Sequence, residues 1–80
     1  MSPEMRRAKL AKLIELEGFE DEAALFAAAI ADSVCEAICC NPENPDCDYT
    51  AEMEPDQDLG WCEECKRGTL VSGLVLGGLI

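Results

Sequence analysis

"CDYTAEMEPDQDLGWCEEC", residues 47–65, sets three cysteines and one tryptophan around seven acidic residues and no basic one. Tyr49, Ala51 and Met53 alternate with Thr50, Glu52 and Glu54, the period of a half-buried strand, and Pro55 ends the run. "DQDLG" supplies turn residues, and "WCEEC" is predicted to return as the second arm of a β-hairpin. Cys62 and Cys65 have the two-residue separation that lets neighbouring thiolates converge on one ion. Upstream, Cys39 or Cys40 with Cys47 forms a second pair across a proline-bearing loop. The whole set reads C-x(6 or 7)-C-x(14)-C-x(2)-C, looser than the common two-knuckle spacing.

Length gives this cluster a purpose. A chain of 80 residues buries little more than ~60% of the surface its unfolded form exposes, so its apolar core is thin and a staple is expected. The N-terminal "MSPEMRRAKLAKLIELEGFE" has no uninterrupted apolar run and no small-residue cleavage site, which predicts a cytosolic (cytoplasmic) protein. In a reducing compartment grouped cysteines hold metal more often than they form disulfides. With no histidine in the chain, four cysteines are the standard donor set, and Cys39, Cys47, Cys62 and Cys65 are the predicted ligands, with Cys35 and Cys40 as substitutes. The predicted cofactor is structural Zn²⁺, with iron second because it takes the same four thiolates. Trp61, next to Cys62, is predicted to shield the thiolates from water; an exposed Trp61 would instead mark a partner hot spot.

Rival chemistries fit less well. A redox dithiol at Cys62 and Cys65 needs a stabilised thiolate, which Glu63 and Glu64 disfavour, and the chain is short for a thioredoxin-like frame. The acids from Glu54 to Asp58 lack the alternating spacing and terminal glutamate of a calcium loop. No catalytic residue is assigned: there is no histidine, four thiolates leave no open metal position, and Asp56 and Asp58 read as a solvated turn. The expectation is a protein that is not an enzyme.

Charge narrows the partners. The net charge is −11, and sixteen acids but no base lie between Leu13 and Cys65. Arg6, Arg7, Lys9 and Lys12 are confined to the first helix, and Lys66 and Arg67 follow the last cysteine. Such a surface repels phosphate backbones, so direct nucleic-acid binding is not expected.

The flanks complete a small α+β fold read as one domain. Residues 1–34 are predicted to form a helical hairpin, 35–68 the metal-binding knuckles and β-hairpin, and 69–80 an apolar C-terminal helix. Ser2 and Pro3 suit a helix start, Met5, Leu10, Leu13 and Ile14 recur on one face, and Gly18 ends that helix. Arg6, Arg7, Lys9 and Lys12 are placed on its polar side. Asp21 caps a second helix with Leu25, Phe26, Ala29, Ile30 and Val34 inward. Thr69 is read as the cap of a third, with Leu70, Val71, Leu74, Val75 and Ile80 inward. The apolar tail "LVSGLVLGGLI" reaches only ~17 Å as a helix against a ~30 Å hydrocarbon core, so no membrane span is expected. Its glycines at 73, 77 and 78 are read as close backbone approach within the domain, and its apolarity makes a homodimer an option.

The segment "CDYTAEMEPDQDLGWCEEC" with the following "TLVSGLVLGGLI" resembles a family of short bacterial and bacteriophage-associated proteins of unknown function, which end in a similar C-D-Y-T…E-P-D-Q-D…G-W-C-E-x-C segment and an apolar tail. The likeness covers roughly the second half of the chain. It implies Cys39, Cys47, Cys62 and Cys65 as ligands, with Tyr49 and Trp61 packed around them. This chain carries a second cysteine at Cys40 and a longer loop, "NPENPD", so Cys39 and Cys40 remain alternatives here. The hairpin also resembles a zinc ribbon. The functional expectation is a small acidic protein-interaction adaptor or modulator of phage or mobile-element origin. The alternatives are a nucleic-acid mimic that inhibits a basic host or defence protein, and a thiol-redox or iron electron-transfer protein.

Overall fold

The computed structural model describes residues 2–79. Helix α1 spans Pro3–Glu17; the Ser2 hydroxyl accepts from the Met5 N–H, and Gly18 closes the helix at φ 76°, a left-handed conformation that glycine adopts without a Cβ penalty. Helix α2, Glu22–Asp32, is capped by Asp21, whose carboxylate accepts from the Ala24 N–H at 2.9 Å. It stops at Ser33, itself left-handed at φ 61°, so Val34 lies beyond the helix.

Four strands follow: β1 Cys35–Cys39, β2 Thr50–Met53, β3 Gly60–Cys62 and β4 Arg67–Ser72. They form one antiparallel sheet in the order β2-β1-β4-β3, and helix α3, Gly73–Leu76, comes after β4. The small α+β class expected from the sequence is thus present, but the predicted pairing is not. The strand around Met53 and the strand at Trp61 do not form a hairpin with each other; they are the two edges of the sheet. β2 pairs with β1, Ala37 facing Ala51, and β3 pairs with β4, Gly60 facing Leu70. The Cys62–Cys65 knuckle itself is the turn of the β3–β4 hairpin, since Cys62 already faces Arg67. The stretch after Pro55 is held elsewhere: the Ser72 N–H donates to the Gln57 carbonyl at 3.1 Å, and the Ser72 hydroxyl donates to the Pro55 carbonyl.

The predicted C-terminal helix from Thr69 is also corrected. Residues 67–72 are a strand, and the helix begins only at Gly73, capped by Ser72 rather than Thr69. The reason is burial on both faces. Leu70 packs with Ala37, Cys39, Cys47 and Cys62, whereas Val71 packs with Leu10, Leu13, Leu25 and Ile38 on the other side. A strand covered on both faces reads as a continuous apolar run, which periodicity cannot tell from a buried helix. The expected inward placement of Ile80 falls outside the described residues.

The sheet therefore separates two clusters. On one face α1, α2 and α3 cover Ile38, Cys40 and Val71. On the other lie the cysteines, with Tyr49, Ala51 and Met53 against them. The helices pack closely at Gly73, where a Cβ would stand 2.6 Å from Leu25 Cδ2 and 3.3 Å from Leu13 Cδ2. The sheet also curls over the cysteine face: a Cβ on Gly60 would stand 2.6 Å from Met53 Sδ, although the two residues belong to opposite edges.

Besides Val34, which is exposed beyond α2, three further side chains depart from their expected places. Ile30, predicted inward, is 73% exposed, because it falls on the outer side of α2 while Leu25 and Ala29 take the inner one. Lys9, predicted on the polar side of α1, is buried beside Leu10 and Leu13. Trp61, predicted to shield the thiolates, is 55% exposed; strand alternation sends it to the face opposite Gly60 and Cys62. Among the described residues no helix is long and apolar enough to cross a membrane.

Candidate metal centre

Three elements deliver four sulfurs to one point. β1 supplies Cys39, the β3–β4 hairpin supplies Cys62 from the end of β3 and Cys65 from its turn, and the loop after β1 supplies Cys47. That loop doubles back by local turns: the Asn44 N–H donates to the Asn41 carbonyl at 3.0 Å and the Cys47 N–H to the Asn44 carbonyl at 3.1 Å. The buried Asn41 braces it through Oδ1, which accepts from the Glu43 N–H.

The four Sγ atoms lie within 4.8 Å of one another. Cys39 Sγ is 3.7 Å from Cys65 Sγ, and Cys47 Sγ is 3.8 Å from Cys62 Sγ. A tetrahedral ion with metal–sulfur bonds of ~2.3 Å sets its sulfurs about 3.8 Å apart, so the cluster has the dimensions of a tetrathiolate cage. All six cysteines are free thiols, and the four are positioned to hold a metal ion.

β1 also separates Cys39 from its two neighbours in sequence. Successive strand residues point to opposite faces, so Cys40 enters the helix-covered cluster with Leu10 and Ile38, where its Sγ lies 3.5 Å from the Ile38 carbonyl. Cys35 shares the parity of Cys39, but four strand residues span about 13 Å rather than one helical turn. Cys35 packs instead with Ala29 and Leu74.

Polar groups around the sulfurs favour thiolate. The Cys65 N–H donates to Cys62 Sγ at 3.3 Å, the Asn44 amide donates to Cys65 Sγ at 3.6 Å, and Thr69 Oγ1 lies 3.1 Å from Cys39 Sγ, where its hydroxyl donates once that sulfur is ionised. The Asn41 side chain, with help from Asn44, brings the Cys65 thiol down to about 7. Burial pushes the Cys47 and Cys62 thiols up, against the backbone N–H groups of Tyr49 and Cys65 respectively. An entering ion must displace those protons, so binding releases protons and strengthens as pH rises. Burial likewise raises the Cys40 thiol to about 11, as expected of an inert core cysteine.

Two features lay outside the reach of sequence reasoning. Lys9 reaches from α1 to donate through Nζ to the Cys47 carbonyl at 2.6 Å, a buried cation beside the cage. Nothing in the helical spacing marks it apart from Lys12. Lys66 turns the chain away after Cys65 in a left-handed conformation, φ 57°, with its N–H on the Cys62 carbonyl at 2.7 Å.

Comparison with protein-family models, with curated proteins and with solved structures returned no match.

Proposed function

We propose that the protein is a small, acidic, zinc-stabilised interaction module of the cytosol, in which the metal closes the fold and the outer surface meets a protein partner. The carrying observation is the four-sulfur cluster of Cys39, Cys47, Cys62 and Cys65, all within 4.8 Å. Zinc suits it because four thiolates and no other donor converge, a set that fills a tetrahedral shell and leaves no position for substrate. That supports a structural role and a protein that is not an enzyme. The β3–β4 hairpin turning on Cys62 and Cys65 supports the zinc-ribbon comparison for this knuckle alone. Bound zinc is expected to contribute on the order of 10 kcal/mol to folding.

The acids supply the second half of the reading. Asp46, Asp48, Asp56, Asp58, Glu63 and Glu64 are all exposed, so the acidic character of the central segment belongs to the surface. A partner with a basic face is favoured by steering that weakens with salt. A nucleic-acid mimic that occupies a basic groove is the sharper form of the same reading.

Cobalt titration tests the metal assignment. One equivalent of Co²⁺ is expected to give tetrahedral tetrathiolate absorption that zinc displaces. Octahedral spectra, or saturation at another stoichiometry, would contradict it. Pull-down at low and at high salt tests the surface: a partner without a basic face, held equally at both, would contradict acidic recognition.

A further inference from the structure

We infer that the outer edge of β3 is a docking strip for an extended, lysine- or arginine-bearing segment of another protein, anchored on Leu59 and Trp61. The inference rests on the interaction reading above and gives it a place and a partner chemistry. β3 pairs with β4 and has no strand paired on its other side; Met53 comes up against the buried Gly60 there, while Leu59 and Trp61 stay exposed and leave an edge that a further strand can approach. Trp61 in β3 and Leu59 just before it are 55% and 74% exposed. Edge strands of monomeric proteins are usually blunted with charge, and tryptophan is the residue most enriched at binding hot spots. Here the charge flanks the anchors instead, with exposed Asp56 and Asp58 before Leu59 and exposed Glu63 and Glu64 after Cys62.

That flanking charge chooses the occupant. A second copy docking its own β3 would bring its Asp56, Asp58, Glu63 and Glu64 up to the same exposed acids, setting like charges together. A basic segment meets the same acids favourably. Two bases follow the last cysteine: Arg67 is engaged by Glu43 at 2.8 Å, which leaves the exposed Lys66 as a single cation against the four acids. An alternating sequence suits the edge, with one set of side chains covering Leu59 and Trp61 while its cations reach the four acids.

The test uses the metal-loaded full chain and the labelled peptide Lys-Val-Arg-Leu-Lys-Val-Arg, with Lys-Ser-Arg-Ser-Lys-Ser-Arg as its equally charged control. Trp61 is the single tryptophan, so its emission reports the strip directly. The alternating peptide is expected to shift that emission to the blue and to bind at least about tenfold more tightly than the control at about 0.15 M salt. Leu59→Ala and Trp61→Ala, both at exposed positions, should each weaken binding by about tenfold, with amide shifts confined to residues 58–63 in the parent chain. Equal affinity for the two peptides, shifts mapped to another face, or Trp61-dependent self-association of the chain would overturn the assignment. Any of these can occur with metal content and fold intact, so the metal-stabilised reading stands or falls separately.

Discussion

Cys39 and Cys40 are adjacent in the chain and lie on opposite faces of the sheet. Cys39 Sγ sits in the four-sulfur cluster, 3.7 Å from Cys65 Sγ, while Cys40 is packed among Leu10, Leu13 and Ile38 beneath the helices. Strand alternation therefore separates a member of the four-sulfur cluster from a core thiol that spacing alone left equivalent. Cys39→Ser is expected to lose tight stoichiometric metal binding. Cys40→Ala should keep one equivalent and lose about 1–3 kcal/mol from removal of a buried side chain. Metal analysis and denaturant unfolding of the two variants check this; the reverse pattern would move the ligand to Cys40.

Lys9 ties α1 to the metal loop through the Cys47 carbonyl at 2.6 Å. Lys9→Met keeps the apolar stem but leaves the Cys47 carbonyl without its donor and removes a buried amine from beside the metal loop. The expected cost is about 1–3 kcal/mol in the metal-loaded protein, with faster loss of metal to a competing chelator. Lys12→Met on the exposed side of α1 is the control, expected within about 0.5 kcal/mol of the parent. Equal behaviour of the two variants would make Lys9 a passive core filler.

Gly73 permits the contact between α3 and the other helices. Alanine there brings a Cβ to 2.6 Å from Leu25 Cδ2, a side chain only 1% exposed. Gly73→Ala should destabilise by about 1–3 kcal/mol through overpacking, despite the better helix propensity of alanine. Thermal unfolding of the loaded protein measures it, and an unchanged or raised midpoint would contradict the packing.

Glu36 carries a pH signature. Burial first, then the carboxylates of Glu17, Glu52 and Asp32, hold its carboxyl above the usual 4.5, and Glu52 faces it directly across β1 and β2. The folded protein thus keeps this proton more tightly than the unfolded chain does. The group's contribution to stability falls as pH rises from 4.5 through the raised value and is level above it. Glu36→Gln should stabilise by about 0.2–1 kcal/mol at pH 7, with the gain shrinking as pH falls toward 4.5. Parent and variant are compared at each pH so that metal loss, common to both, cancels. A gain that grows toward acid would contradict the sign.

Much of the helical half was legible because its punctuation is local. Ser2 with Pro3, Gly18 and Asp21 are read from three or four residues at a time, and each does in the structure what its chemistry suggests. The sheet was legible only in part. β2 shows alternation because one face is open, whereas β1 and β4 are covered on both faces and lose the pattern that distinguishes strand from helix. Pairing partners were less legible still, since the choice of β1 over β3 as neighbour of β2 depends on contacts distant in sequence. At the site, cysteine spacing suggested Cys39, Cys47, Cys62 and Cys65, and these are the sulfurs the fold brings together. The buried Lys9 and the outward Trp61 follow from how α1 and β3 are seated, which no local pattern encodes.

The metal content of untagged protein, measured before and after chelation, decides whether a metal closes this fold. One zinc per chain is expected, with chelation collapsing amide-shift dispersion and near-ultraviolet dichroism, and with both restored by zinc. Less than about half an equivalent, in a protein whose fold survives the chelator, would contradict a metal that supplies folding energy.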